Sequence, residues 1–418
     1  MSNSRAIEQW DGQDEEGNKE TRKQVDKETS KQVNKETNRQ GRTRANLVSQ
    51  VHLFPCLLVS LSTCLLVYRP LRRTNPTNPT NPTNLPIMIH WFLQTAAQCP
   101  EIAHGAAPAG LLSAAELERL EQLASAKRRG EWLLGRCAAK RLVQRYLEQE
   151  TGQPPPLDAL VIARDSEDNA APVVVFDSQA VPLDLPPGAR WVSGAPLVAE
   201  PGRRRGQPVP RVSGMRLPIS LSISHSSEMA LCALYAVGGR WRAALAARGT
   251  LRQSQVAGSN ASAALWQDHV VDVGFPAGGW VQVGVDIEGI APRSDNFVQA
   301  YFAADEMRWI GQALGDDQAL LATVTWSAKE AVLKALQLGL TVDTRRVSCL
   351  PATGMELTAS AEHRWSEVHV HCDPALLPQA LRRAGQLELS RDYDWDLRGW
   401  WRREGHFVLT LAALHVAK

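Results

Sequence analysis

The sequence predicts an α+β fold built of two similar halves, preceded by a disordered low-complexity N-terminal segment. Three observations predict it. Helical periodicities and short alternating or apolar runs interleave from Met88 onward. Two pairs of helical stretches recur at one constant offset, which carries Ala114-Ala115-Glu116 onto Ala303-Ala304-Asp305 and Ala139-Lys140 onto Ala328-Lys329. Residues 1–87 differ in composition from everything after them.

That first segment holds an eight-residue repeat beginning at Lys19, Lys27 and Lys35, and an Asn-Pro-Thr repeat from Asn75 to Thr83. Proline at every third position, with Asn and Thr between, builds no packed core. Between the repeats lies an apolar run, Leu53 to Val67, interrupted by Pro55, Ser60, Ser62 and Thr63. It falls short of the roughly 20 residues a membrane span needs. As an anchor it would leave Arg69, Arg72 and Arg73 on the cytoplasmic side. No compact basic start marks it as a secretory signal. The expectation is that residues 1–87 are translated non-coding sequence ahead of a start at Met88.

The 418 residues are 44% hydrophobic and 22% charged, with 46 Lys and Arg against 44 Asp and Glu. A net charge of +2 carries no signal for nucleic acid, so any basic site must be local. None of the seven cysteines sits in a CxxC pair, which removes zinc spacing and a disulfide framework and suits a reducing, cytoplasmic setting.

Ser113 and Glu116 form a capping-box pattern, followed by Leu117, Leu120 and Leu123 at helical spacing. A second helix is expected from about Glu131 to Glu150, with Leu133, Leu134, Cys137, Val143 and Leu147 inward. In the other half, a helix opens at Ala303-Ala304-Asp305 and another spans Leu320 to Leu340. Strands are expected at 173–176, 219–223, 231–235, 281–287, 368–370 and 407–414. Pro182 to Pro210 reads as a loop, and 238–279 as an inserted excursion outside the core. The halves are thus 88–280 and 281–418.

Two constellations carry chemistry. Val283-Gly284-Val285-Asp286-Ile287-Glu288 is a strand whose carboxylates, two apart, share a face. That pattern suits either a solvent-facing edge or hard oxygen ligands for Mg²⁺ with phosphates. In Trp326-Ser327-Ala328-Lys329-Glu330-Ala331-Val332-Leu333-Lys334, Glu330 and Lys334 share one helical face and Lys329 points elsewhere. Alone, that pair reads as a surface salt bridge.

Together the two blocks, with Trp326 about forty residues after Asp286, resemble the signature of the 4′-phosphopantetheinyl transferase superfamily. Ser222-Ile223-Ser224-His225-Ser226 resembles a segment of its larger, surfactin-synthetase-activating branch, in which two halves share one chain. Lys127 to Lys140 resembles the basic helix of that branch's first half. Two departures stand out. The stretch from His225 to Asp286 is longer than the family uses, and its Gly-x-Pro element has two competitors, Ala170-Ala171-Pro172 and Gly206-Gln207-Pro208.

The resemblance implies an active site in the cleft between the halves of a monomer. Asp286, Glu288 and Glu330 would hold Mg²⁺, or Mn²⁺. Glu330 and Lys334 would be catalytic, the base being Glu330 or a water on the metal. His225, Ser224, Arg129, Arg136, Lys140 and Lys334 would contact the phosphates of coenzyme A. The implied partner is an apo acyl or peptidyl carrier protein, with no nucleic acid or membrane involved. Two other readings compete: a non-catalytic coenzyme A or nucleotide-binding protein of the same fold, and a membrane-tethered interaction protein using Leu53–Val67.

Overall fold

A computed structural model describes residues 87–164, 171–176, 189–196, 211–236, 270–276, 278–352, 364–385 and 394–417. The N-terminal repeats, the apolar run 53–67, Arg203–Arg205, Gly206-Gln207-Pro208 and most of the 238–279 stretch lie outside them. Among the described residues no helix is long and apolar enough to cross a membrane.

Strands β1 (Met88–Thr95), β6 (Ile219–Ser226), β7 (Met229–Ala236) and β8 (Val270–Asp272) form an antiparallel sheet in the order β6-β7-β1-β8. A second antiparallel sheet runs β10-β11-β12-β13-β9, from β9 (Trp280–Gly289), β10 (Val347–Pro351), β11 (Ser366–Cys372), β12 (Asp394–Glu404) and β13 (Phe407–Ala417). The smaller third sheet, β2-β3-β5-β4, uses β2 (Leu160–Arg164), β3 (Pro172–Phe176), β4 (Arg190–Pro196) and β5 (Arg211–Arg216).

The first two sheets pack face to face. Ile89, Trp91, Leu231 and Ala233 of one meet Val283, Val285, Leu409 and Leu411 of the other in one buried cluster. Each sheet covers its outer face with a long helix. The helices are α1 (Pro100–Ala103), α2 (Ala114–Glu121), α3 (Ala126–Thr151), α4 (Asp295–Tyr301), α5 (Ala304–Gln312), α6 (Asp316–Ala335) and α7 (Leu377–Arg383). Leu133, Leu134, Cys137, Val143 and Leu147 of α3 are buried against the first sheet, as the periodicity requires. Helix α6 does the same for the second. Strands buried on both faces, such as β7, therefore read as continuous apolar runs.

Several expectations need correcting. Helix α6 starts earlier than Leu320 and stops at Ala335, short of Leu340. Asp316 and Asp317 favour its positive N-terminal end, while Gln337 (φ 57°) and Gly339 (φ 53°) turn left-handed and break it. Leu117 is 45% exposed, although Leu123 is buried. Residues 190–196 are a strand within the expected loop. The end of the supposed excursion is core: β8 pairs with β1, and Val271, Val273 and Phe275 are buried.

One polar arrangement is built twice. The Ser113 capping box forms, with the Ser113 amide donating to Glu116 Oε2 at 3.1 Å. The same buried Glu116 is ion-paired with Lys140 of α3 and accepts from the Ile162 amide of β2 at 3.3 Å. In the second layer the Ala303 amide donates to Glu306 Oε2 at 2.7 Å; Glu306 pairs with Lys329 of α6 and accepts from the Cys349 amide of β10 at 2.7 Å. Both lysines also donate to a backbone carbonyl, Leu111 for Lys140 and Val347 for Lys329. The counterpart of Glu116 is thus Glu306, one residue beyond the Asp305 that a constant offset selects.

Gly284 shows why this layer tolerates no side chain at that point. A Cβ there would overlap the carbonyl oxygen of Ala331 and press on the amide of Ala335, so β9 and α6 touch backbone to backbone. Replacing Gly284 with alanine is expected to cost at least about 2 kcal/mol, in the range of overpacked cores. Urea denaturation of the full chain checks this; an unchanged midpoint would contradict the close contact.

Candidate active site

The site begins with an edge. Strand β9 pairs with β13 on one side only, so alternate amides on its other side lack strand partners. Three serines of β6, spaced two apart and hence on one face, meet that edge. Ser220 Oγ accepts from the Val283 amide and Ser222 Oγ from the Val285 amide, each at 3.0 Å. Ser224 Oγ donates to Asp286 Oδ1 at 2.7 Å. The serines that suggested a half-buried strand are therefore a seam between the two sheets.

Asp286 is almost fully buried, facing α6 and not solvent as an exposed edge would. Its Oδ1 also accepts from Lys334 Nζ at 2.7 Å, and its Oδ2 from Ser327 Oγ at 2.8 Å. Lys334 Nζ further donates to Ser224 Oγ at 3.1 Å and lies 3.5 Å from Glu330 Oε2. Glu288, on the same strand face as Asp286, accepts from Arg293 Nη2 at 2.9 Å. Arg293 in turn lies over the Phe297 ring, and Phe297 and Tyr301 of α4 pack on Trp326. Trp326 is thus a packing residue.

The charges are crowded. Burial, then the negative charge of Asp286, pushes the Glu330 carboxyl up to about 7, with Glu288 adding to the rise and Lys334 opposing it. Burial alone would lower the Lys334 ammonium, but Asp286 and Glu330 outweigh it and hold the group above its usual value. Lys334 remains about 30% exposed, so these interactions are partly screened.

As placed, no group of three or more His, Cys, Asp or Glu among the described residues could hold a metal ion. The donor chemistry nevertheless fits a hard divalent cation. Asp286, Glu288 and Glu330 all offer carboxylate oxygens, the first two raise the cost of ionising Glu330, and a cationic stand-in, the Lys334 ammonium, sits between Asp286 and Glu330.

The structure brings Asp286, Glu288, Glu330, Lys334 and Ser224 together. His225 follows as an exposed residue at the end of β6, near Gly135 of α3. The basic trio on α3 does not form a shared phosphate face. Lys140, expected on the coenzyme A 3′-phosphate, is fully buried as the counter-ion of Glu116. Arg136 is buried too, its Nε 3.9 Å from Glu116 Oε1 and its guanidinium over Trp132. Arg129 Nη1 donates to the Leu123 carbonyl at 3.0 Å. The sequence of α3 alone could not show that Arg136 and Lys140 turn inward onto a glutamate from another helix. Sequence reasoning missed Ser327, Thr410 and Arg293. Ser327 stood inside the signature block, but nothing in the pattern said its hydroxyl meets Asp286.

Comparison with known proteins finds a family likeness over part of the chain. Residues 282–384 match the model of the 4′-phosphopantetheinyl transferase superfamily (ACPS). Among curated proteins none matches the chain. A Chronobacterium ammoniagenes ACPS–CoA complex is 19% identical, with a TM-score of 0.23, over 33% of this chain and 99% of that one. The holo-[acyl-carrier-protein] synthase (AcpS) of Neisseria meningitidis is 18% identical, with a TM-score of 0.21, over 32% of this chain and 96% of that one.

The buried Glu116–Lys140 pair yields a second expectation. Lys140→Met alone should cost about 3–5 kcal/mol by stranding Glu116, whereas Lys140→Met with Glu116→Leu should cost far less. Denaturation of the single and double variants checks it. A single variant as stable as the parent would return Lys140 to the surface.

Proposed function

We propose that this protein transfers the 4′-phosphopantetheine arm of coenzyme A to a serine of an apo acyl or peptidyl carrier protein. The observation that supports it best is the meeting of Ser224, Asp286, Glu330 and Lys334 from β6, β9 and α6, within and beside the segment that matches the superfamily model. The site draws on both sheets, which agrees with a cleft between two halves.

Asp286, Glu288 and Glu330 would hold Mg²⁺ (or Mn²⁺) once Lys334 moves off Asp286. The ion would supply charge neutralisation on phosphate oxygens. The chain's own groups do the rest. Lys334, in reach of both layers, contacts the pyrophosphate and offsets the charge of the leaving group. His225, exposed at the strand end, is placed for a phosphate oxygen. The carrier serine oxygen bonds to the phosphorus that bears pantetheine. The bond from that phosphorus to the bridging pyrophosphate oxygen breaks, and adenosine 3′,5′-bisphosphate leaves with the electron pair. Glu330, beside Lys334 and 22% exposed, receives the serine proton.

The twice-built Glu–Lys arrangement supports the further reading that the two layers are copies of one unit, as in the two-halves branch of the family. Only the second copy carries the acids.

The test is intact-mass analysis of an apo carrier protein incubated with the full chain, coenzyme A and Mg²⁺. The expected gain is one phosphopantetheine, abolished by EDTA. Glu330→Gln should lower the rate by at least about 100-fold, the lower range for general-base loss, with circular dichroism unchanged. Absence of any gain across several carriers, from folded protein that binds coenzyme A, would favour a binding protein instead.

A further inference from the structure

We infer that Ser327 and Thr410 are positioning residues that fix the plane of the Asp286 carboxylate, an inference that rests on the transferase reading above. Thr410 lies directly opposite Asp286 in the β9–β13 register. Ser327 precedes Lys334 by two turns of α6 and so projects from the same side. Ser327 Oγ is 2.8 Å from Asp286 Oδ2. Thr410 Oγ1 is 2.9 Å from Ser327 Oγ, 2.9 Å from the Ser327 carbonyl and 3.4 Å from that of Asp286.

Proton counting orders this relay. A carboxylate only accepts, so the single proton of Ser327 goes to Asp286 Oδ2, and the one proton of Thr410 has the Ser327 hydroxyl and the Ser327 carbonyl as its equally near acceptors. Oδ2 is thereby turned inward, and Oδ1 is left to Ser224 and Lys334. The terminal torsion of aspartate is broad, so without Ser327 the plane of the carboxylate would be set only from the site side, by Ser224 and Lys334.

The other layer supplies an internal control. Just after the β6–β7 turn, Met229 of β7 pairs with Thr95 of β1, and just after the β12–β13 turn, Phe407 of β13 pairs with Gly289 of β9. Counting back from these turns puts Phe92 and Gln94 where the second layer has Asp286 and Glu288. Counting along α3 from Lys140 puts Arg141 and Arg145 at the places of Glu330 and Lys334. The contacts agree: Arg141 Nη1 donates to Gln94 Oε1 at 2.8 Å, and the Arg145 guanidinium lies 4.6 Å from the Phe92 ring. Ser327 and Thr410 correspond to Ala138 and Cys232, both fully buried. The architecture therefore closes without either hydroxyl. Both hydroxyls occur in the layer that has the aspartate, and neither occurs in the layer that has phenylalanine.

The experiment measures Mn²⁺ affinity by electron paramagnetic resonance, in the presence of coenzyme A, for the full chain and for Ser327→Ala, Thr410→Val and Thr410→Ser. Thermal unfolding of each establishes that it is folded. Outer-shell changes of this kind weaken metal binding by about 10–100-fold. The expectation is at least about tenfold for Ser327→Ala, a smaller loss for Thr410→Val, and near-parental affinity for Thr410→Ser, which keeps the hydroxyl. Parental affinity in both Ser327→Ala and Thr410→Val would overturn the positioning role while leaving the transferase reading intact. If the parent chain itself bound no Mn²⁺, both would fall. Should Ser327→Ala fail to fold, the near-isosteric Thr410→Val against Thr410→Ser still decides.

Discussion

A one-sided strand edge is the constraint on which the rest depends. Strand β9 must keep its edge free of a strand partner so that Asp286 can be approached, yet buried amides left unpaired would cost roughly 1–3 kcal/mol each. Ser220 and Ser222 resolve that conflict by accepting from the Val283 and Val285 amides. Ser224, next in the same row, is delivered to Asp286 by the same register. Because the serines belong to the first sheet and the amides to the second, the seam that satisfies the backbone also joins the two layers and assembles the site. Gly284, on the same face of β9 as Asp286, brings the strand backbone to backbone against α6, so Asp286 is held between the seam and the helix.

The three signature lysines and their relatives show how position decides chemistry. Lys140, Lys329 and Lys334 all lie on long helices that cover sheets. Lys140 and Lys329 point into the core, where each is held by a glutamate and a carbonyl. Lys334, a little more than one turn beyond Lys329, reaches the seam instead and keeps contact with solvent. A buried, paired ammonium holds a structure together; a partly exposed one shared between Asp286 and Glu330 is the one that, on the proposed function, would exchange those contacts for a phosphate.

This distinction explains what was legible in the sequence. The capping box at Ser113, the buried stripe of α3, the shared face of Glu330 and Lys334, and the pairing of Asp286 with Glu288 are local geometry, and spacing reports local geometry. The fates of Lys140 and Arg136 depend on what packs over α3, and Glu116 arrives from another helix. Strand β12 was missed because Asp394, Asp396, Arg398, Arg402 and Arg403 hide the apolar face carried by Leu397 and Trp401. Strand β8 was missed because three residues carry no period of their own; the partner β1 makes them a strand. The Asp305 mismatch arose because a constant offset cannot absorb the one-residue difference between the two cap-to-lysine distances.

On the proposed duplication, the asymmetry between the layers has a physical logic. Three carboxylates within reach of one another are costly, as the raised Glu330 shows, and a chain that contains two copies of a unit need meet that cost once. In the first layer the corresponding positions hold Phe92, Gln94, Arg141 and Arg145, which repel no carboxylate and stack or hydrogen-bond among themselves. The first layer is then released to contribute something else to the shared site: the seam serines, and His225 at the end of their strand. On that reading one layer would supply the acids and the other the seam beside them, and among the described residues neither layer alone holds all of these groups.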